Sequence, residues 1–187
     1  ALLPYVEDVN RLDQNDQNAA HICCKYGELA CLRVLAANGV DLARRDHAGL
    51  QPFHVAAMHN SADCVAFLFE MGVAAFGERC AAGKLPFHYA AEFGSLDTLK
   101  QLCAYHADLT VPDAEGNTAA HYAARNDRLD CLVYLIRQGV PVDRVRNNAG
   151  RNVPHVCCLH GAVRCLHWLF ENAHIDPLSL DGSQSSC

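Results

Sequence analysis

Apolar residues return along this chain in short, paired blocks. In "CLRVLAA", Cys31, Leu32, Leu35 and Ala36 stand at i, i+1, i+4 and i+5, and Cys131, Leu132, Leu135 and Ile136 keep the same spacing in "CLVYLIR". That spacing puts all four side chains on one face of a helix. Ahead of each such helix the pattern predicts another short one, marked by a small pair: Cys23-Cys24, Ala56-Ala57, Ala90-Ala91, Ala123-Ala124 and Cys157-Cys158. Two residues before each pair stands a histidine, giving His21, His54, His88, His121 and His155. Six past each histidine comes Gly27, Asn60, Gly94, Asp127 or Gly161, residue types that tolerate the left-handed backbone ending a helix. Fourteen past it is always leucine: Leu35, Leu68, Leu102, Leu135 and Leu169.

The histidines are separated by 33, 34, 33 and 34 residues, and Gly49, Gly83, Gly116, Gly150 and Gly182 keep nearly the same beat. A fixed period near 33 means stacked units, each too small to bury its apolar face alone. Five units are expected, at 17–49, 50–83, 84–116, 117–150 and 151–182. Asp46-His47-Ala48-Gly49 and Asp113-Ala114-Glu115-Gly116 read as turns between units, the aspartate accepting turn amides and the glycine relieving positive φ. Cys80, Asn147 and Ser179 take the aspartate's place elsewhere, and Cys80 loses the acceptor.

On these residues the chain resembles the ankyrin repeats. "LPFH" and "QPFH" match that family's Thr-Pro-Leu-His element most closely, "NAAH" and "NVPH" are degenerate, and five units fall in register. The resemblance implies an all-α solenoid of stacked helix–turn–helix units with β-turn or hairpin fingers. It also implies that the recurrent imidazole is largely buried and bonded to the turn. Residues 1–16, ending "YVEDVNRLD", read as the tail of a preceding unit, and 183–187 as the start of a following one or a tail, so a slice of a longer array is expected.

Composition narrows the function. With 15 Lys and Arg against 21 Asp and Glu, the net charge of −6 repels phosphate backbones, so no nucleic-acid partner is expected. The most apolar stretch, Val156 to Phe170, is broken by His160, Arg164 and His167, so no membrane insertion is expected. "ALLPYVEDVN" does not read as a secretory leader. Eleven cysteines raise the question of a disulfide scaffold, yet all but Cys80, Cys103 and Cys187 fall in recurring small or apolar columns. There a thiol behaves as a small hydrophobe, and a thiolate would be desolvated. Thiols so placed imply a reducing compartment, cytosol or nucleus.

"HVCCLHGAVRCLH", residues 155–167, invites a zinc site. His155, Cys157, Cys158 and Cys165 nevertheless belong to columns that other units fill. His155 and His160 are five apart, roughly 140° apart around a helix, whereas paired ligands want three or four. Cys157 and His160 keep a spacing of three with His167 on the next helix, so one combination stays open; the spacings match no finger or ribbon. No orienting third residue or oxyanion hole accompanies a Cys–His nucleophile, so no catalytic residue, cofactor or small-molecule substrate is expected.

Function should lie where residues vary while the framework stays fixed. One such set lies four and five past each histidine: Lys25-Tyr26, Met58-His59, Glu92-Phe93, Arg125-Asn126 and Leu159-His160. The other is the turn tips, with His47, Leu50, Lys84, Glu115 and Asn117 foremost. The resemblance implies that both sets line a concave groove where a protein or peptide docks. Tyr26, Met58, Phe93 and Leu159 would then form an apolar strip beside Lys25, Glu92 and Arg125, the composition of an interface centre. Arg44, Arg45, Arg144 and Arg146 read as solvated or paired with Asp46 and Asp143. The leading expectation is a non-catalytic protein-binding scaffold or adaptor. A regulatory or oligomerisation segment of a larger enzyme or ion channel is the alternative, ahead of a metal- or redox-sensing array.

Overall fold

The computed structural model describes residues 8–73 and 77–172, which carry five helix pairs. They are α1 Ala19–Tyr26 with α2 Leu29–Ala37, α3 Pro52–Met58 with α4 Ala62–Glu70, and α5 Pro86–Phe93 with α6 Leu96–Ala104. α7 Ala119–Arg125 with α8 Leu129–Arg137, and α9 Val153–His160 with α10 Val163–Asn172, complete the set. The odd-numbered helices pack side by side as an inner row and the even-numbered ones as an outer row. Residues 1–7, the expected turn at Ser179 and Gly182, Cys187 and the segment 183–187 lie outside the described residues.

Local chemistry sets the helix limits. The Asn18 side chain accepts the amides of Ala20 and His21, and Asn152 does the same for His155, while Pro52 and Pro86 open α3 and α5 where an N–H has no helical partner. α1, α5 and α9 end on left-handed Gly27, Gly94 and Gly161. After α3 and α7 the left-handed residues are Asn60 and Asp127, and their side chains take on a further task. Asn60 Oδ1 accepts the Thr98 amide at 3.1 Å and Asp127 Oδ1 the Cys165 amide at 2.9 Å, capping the outer helix of the next unit. The following residue binds backward: Ser61 Oγ donates to Cys24 O, Ser95 Oγ to Met58 O and Arg128 Nε to Glu92 O. Polar bonds therefore cross to both neighbouring units at the loops after α3 and α7, and to the preceding unit at the loop after α5.

The recurrent imidazoles form a second ladder. His21, His54 and His88 are fully buried and His121 is 2% exposed. Each Nδ1 accepts the amide three residues earlier, from Asn18, Gln51, Leu85 and Thr118. Each Nε2–H donates to a carbonyl in the segment leading to the next unit: Leu50 at 3.1 Å, Glu78 at 2.9 Å, Val111 at 3.0 Å and Arg151 at 3.1 Å. This network assigns the neutral Nε2–H tautomer. Burial opposes the charged form and pulls all four below the ordinary histidine range, His54 and His88 to about 4. His155 departs from the expected burial: it is half-buried, its Nδ1 bonded to the Asn152 side chain. No described residue lies beyond its unit on that side.

The fingers are β-turns, with no strand among the described residues. Asp13, Asp46, Asp113 and Asn147 each accept two turn amides through a side-chain oxygen. Cys80 makes no such bond, as expected; its sulfur lies 3.2 Å from the Tyr89 hydroxyl. Neighbouring tips are linked by single backbone bonds, His47 N–H to Asn15 O, Ala81 N–H to Ala48 O and Asn148 N–H to Glu115 O. Arg45 donates to Gly49 O and Arg79 O, and Arg79 to Gly83 O and Pro112 O, each clamping its own turn to the next unit. Arg45 also pairs with Glu78 rather than with the expected Asp46, because that clamp carries its guanidinium across to the neighbouring unit. Arg144 does pair with Asp143, at 3.5 Å on the surface.

Gly116 shows how tightly the tips stack. Its φ is +78°, and a Cβ there would lie 2.8 Å from the Asn148 amide nitrogen and 2.6 Å from its side-chain oxygen. Gly116→Ala is expected to destabilise the array by about 1–3 kcal/mol, combining left-handed strain with the contact. Urea unfolding followed by circular dichroism checks this; a change below about 0.5 kcal/mol would contradict it.

Two cysteines do not follow the expected burial. Cys64, Cys131 and Cys165 are sealed and Cys31 is exposed; Cys157 is sealed and Cys158 is exposed. The first column faces the preceding unit and the second the following one, so Cys31 and Cys158, at the two ends of the described stack, have no described helix over them. Leu35 is half-buried for the same reason, while Leu68, Leu102, Leu135 and Leu169 are fully buried. Cys80, outside those columns, is buried beneath Tyr89.

Candidate interaction surface

The turn tips and the solvent-facing side of the inner helices border one continuous surface. On it Tyr26, Phe93 and Leu159 are exposed large apolar side chains, 68%, 47% and 55% accessible, and Met58 is half-buried between them in sequence order. Lys25, His59, Arg125, Asn126 and His160 are exposed beside them. At the tips, His47 and Glu115 are exposed while Leu50, Lys84 and Asn117 are half-buried. Several of these have internal partners. His47 Nδ1 lies 3.4 Å from Asp16, the Asn117 amide donates to Glu115, the Asn126 side chain caps α7 at Tyr122 O, and the Lys25 ammonium lies 5.6 Å from the Tyr26 ring centre.

Lys84 and Glu92 are brought together at the centre of the surface. Lys84 Nζ lies 2.7 Å from Glu92 Oε2, with side chains only 15% and 21% exposed. The ammonium also stands 4.0 Å from the Tyr122 ring centre and 5.0 Å from that of Tyr89, within cation–π reach of both. Tyr122 donates its hydroxyl to Asp113 Oδ2 at 2.6 Å, and both rings set their edges against the histidine of the unit before, Tyr89 on His54 and Tyr122 on His88. Burial and these hydroxyl bonds push both phenols far above the usual range. Sequence reasoning misses Tyr89, Tyr122 and Arg79, and gives Asp113 only its turn. A signal for the tyrosines existed: they stand one past the histidine, where the other units carry Ile22, Val55 and Val156.

Two further depressions open on the described residues, the first bordered by Tyr122 of this plug. One of about 240 Å³ lies between the turns and inner helices of the last two units, lined by Glu115, Asn117, Arg125, Arg151, Leu159 and His160 among others. Another, of about 320 Å³, lies near the ends of α1 and α3, where Lys25, Tyr26 and His59 meet Asp63 and Asp97. Of the predicted residues, Glu115, Asn117, Arg125, Leu159 and His160 line the first depression, Lys25, Tyr26 and His59 the second, and Lys84 and Glu92 form the plug, so they do not make one unbroken apolar strip.

Among the described residues, no group of three or more His, Cys, Asp or Glu side chains could hold a metal ion, and all ten cysteines are free thiols. Burial raises the thiols of Cys23 and Cys131 to about 11 and of Cys157 to about 12. Cys24 and Cys64 share a hydrogen bond that lifts Cys24 and lowers Cys64. No described helix is long and apolar enough to cross a membrane.

Comparison with known proteins agrees with the repeat geometry. The family model for ankyrin repeats in three copies matches residues 1–79 and again 80–181. Inversin of Canis lupus familiaris is 25% identical over 170 residues, covering 87% of this chain and 16% of inversin. The B-cell lymphoma 3 protein of Homo sapiens is 32% identical over 132 residues, 68% of this chain and 29% of that protein. Synphilin-1 of Mus musculus is 28% identical over 180 residues, 90% of this chain and 18% of synphilin-1. The chain thus spans less than a third of each of these relatives. With five histidine-anchored helix pairs in register and a family match over nearly the whole length, the chain belongs to the ankyrin-repeat family.

Proposed function

We propose that this chain is a non-catalytic binding module that holds a partner protein or peptide against the face formed by its turn tips and inner helices. Ankyrin repeats are generally protein-interaction modules, and the observation that carries the reading here is the contrast between framework and surface. The histidines of the first four units and four of the five recurrent leucines are sealed, while Tyr26, Phe93 and Leu159 stand open. Large apolar side chains ringed by charge are the usual anchors of an interface, each contributing about 1–3 kcal/mol when covered. The free thiols buried in the stack favour a reducing compartment, cytosol or nucleus.

Affinity capture from cell extract supplies the partner, and the double variant Tyr26→Asp with Phe93→Asp tests the face. Binding to the isolated partner is expected to weaken at least tenfold by titration calorimetry, with an unchanged circular dichroism spectrum. Unchanged affinity in a folded double variant would overturn the reading. A second reading, a regulatory segment of a larger enzyme or channel, draws support from the small share of its relatives that the chain spans. Extending the chain in both directions decides it: an adjoining catalytic or membrane domain favours it.

A further inference from the structure

We infer that the depression between the last two units reads a carboxylate side chain, flanked by an aliphatic one, in the bound protein segment. This deepens the binding-module reading and rests on it. The floor and rim of the depression are internally satisfied. His121 donates to Arg151 O, Tyr122 to Asp113, Asn147 to Asn117 Oδ1, and Asn117 in turn to Glu115. That leaves the guanidinium groups of Arg125 and Arg151 as its uncommitted donors of fixed charge. Both are exposed, and among the described residues neither forms an ion pair or a side-chain hydrogen bond. His160 adds a third basic group at the mouth, Glu115 is the one carboxylate lining it, and Val156 and Leu159 give one apolar wall.

The centre of the surface is different. There Lys84 is already neutralised by Glu92 and enclosed by two rings, so an arriving carboxylate gains little from it. An arginine fork matches a carboxylate in shape and charge, and a volume of about 240 Å³ admits one such side chain with its neighbour. A nucleic acid is the disfavoured occupant, because the net charge of −6 opposes an extended phosphate backbone.

The test uses the full chain as bait for a random twelve-residue peptide library displayed on phage, followed by anisotropy titration of the selected peptides, fluorescently labelled. The selected peptides are expected to share an Asp or Glu beside an aliphatic residue. Their affinity should fall at least tenfold in Arg125→Gln with Arg151→Gln and less than twofold in Arg137→Gln, an exposed arginine on the outer row. Selected peptides without a shared acid, or equal affinity for the double arginine variant, would overturn the inference. So would tighter binding of a 20-base-pair DNA duplex, through the same two arginines, than of any peptide. Peptides that ignore the arginines yet are lost on the Tyr26→Asp, Phe93→Asp variant overturn the carboxylate pocket alone. Peptides indifferent to both variants overturn the binding face as well.

Discussion

Lowering the pH from 7 to 4.5 is expected to remove several kcal/mol of the array's stability, with most of the loss between pH 6.5 and 4. His54 and His88 are held neutral by burial, with values near 4 against 6.5 in the unfolded chain, and His21 and His121 are displaced the same way. Within that window the unfolded chain binds more protons than the folded one, so stability falls as the pH falls. Above pH 6.5 both states carry neutral imidazoles and the histidine contribution is at its full value. Below 4 the histidine part of the loss levels off. A tenfold change in proton affinity is worth about 1.4 kcal/mol, so His54 and His88 each account for a loss of roughly 3 kcal/mol at the acid limit. Protonation at Nδ1 also destroys an acceptor, setting N–H against the amide of Gln51 or Leu85. Urea unfolding at pH 7.5, 6.5, 5.5 and 4.5 checks this. A midpoint that does not move between 7.5 and 5 would mean that the imidazoles are not sealed.

Lys84→Ala is expected to destabilise the fold by about 2–4 kcal/mol, far more than removal of an ordinary surface lysine. The variant leaves the Glu92 carboxylate, four-fifths buried, without its 2.7 Å partner, and strips the cation from the faces of Tyr89 and Tyr122. Losing one half of a desolvated pair is costly because the other charge stays behind, and each cation–π contact adds about 0.5–2 kcal/mol. The double variant Lys84→Met with Glu92→Leu should recover much of the loss, since it leaves no orphan charge. Urea unfolding of the single and double variants measures both; a single-variant cost below about 0.5 kcal/mol would show that the pair is solvated.

The sequence revealed the parts of this fold that packing dictates one unit at a time. A histidine that must cap its own helix, a leucine that must fill the space between rows and a residue that must turn left-handed recur because each unit poses the same local problem. Burial at the stack's ends was not legible in this way. Cys31 and Cys158 occupy the same columns as sealed thiols, and only the presence of a neighbouring helix separates them. Interactions that skip between units were also hidden. Arg45 and Arg79 reach backbone carbonyls in the next unit, and Lys84, in the turn ahead of α5, meets rings from its own unit and the next, which a column of letters does not show. Of the surface, the exposure of Tyr26, Phe93 and Leu159 followed from their column; its division by the Lys84 plug did not.

The recurrent imidazoles are structural rungs, and the four sealed ones have both nitrogens spoken for. Long-range proton–nitrogen NMR of the histidine side chains at pH 7, before and after one equivalent of zinc, tests this most directly. Four rings should appear as neutral Nε2–H tautomers that zinc leaves in place. Charged rings, the opposite tautomer, or zinc-induced changes among those four would contradict it.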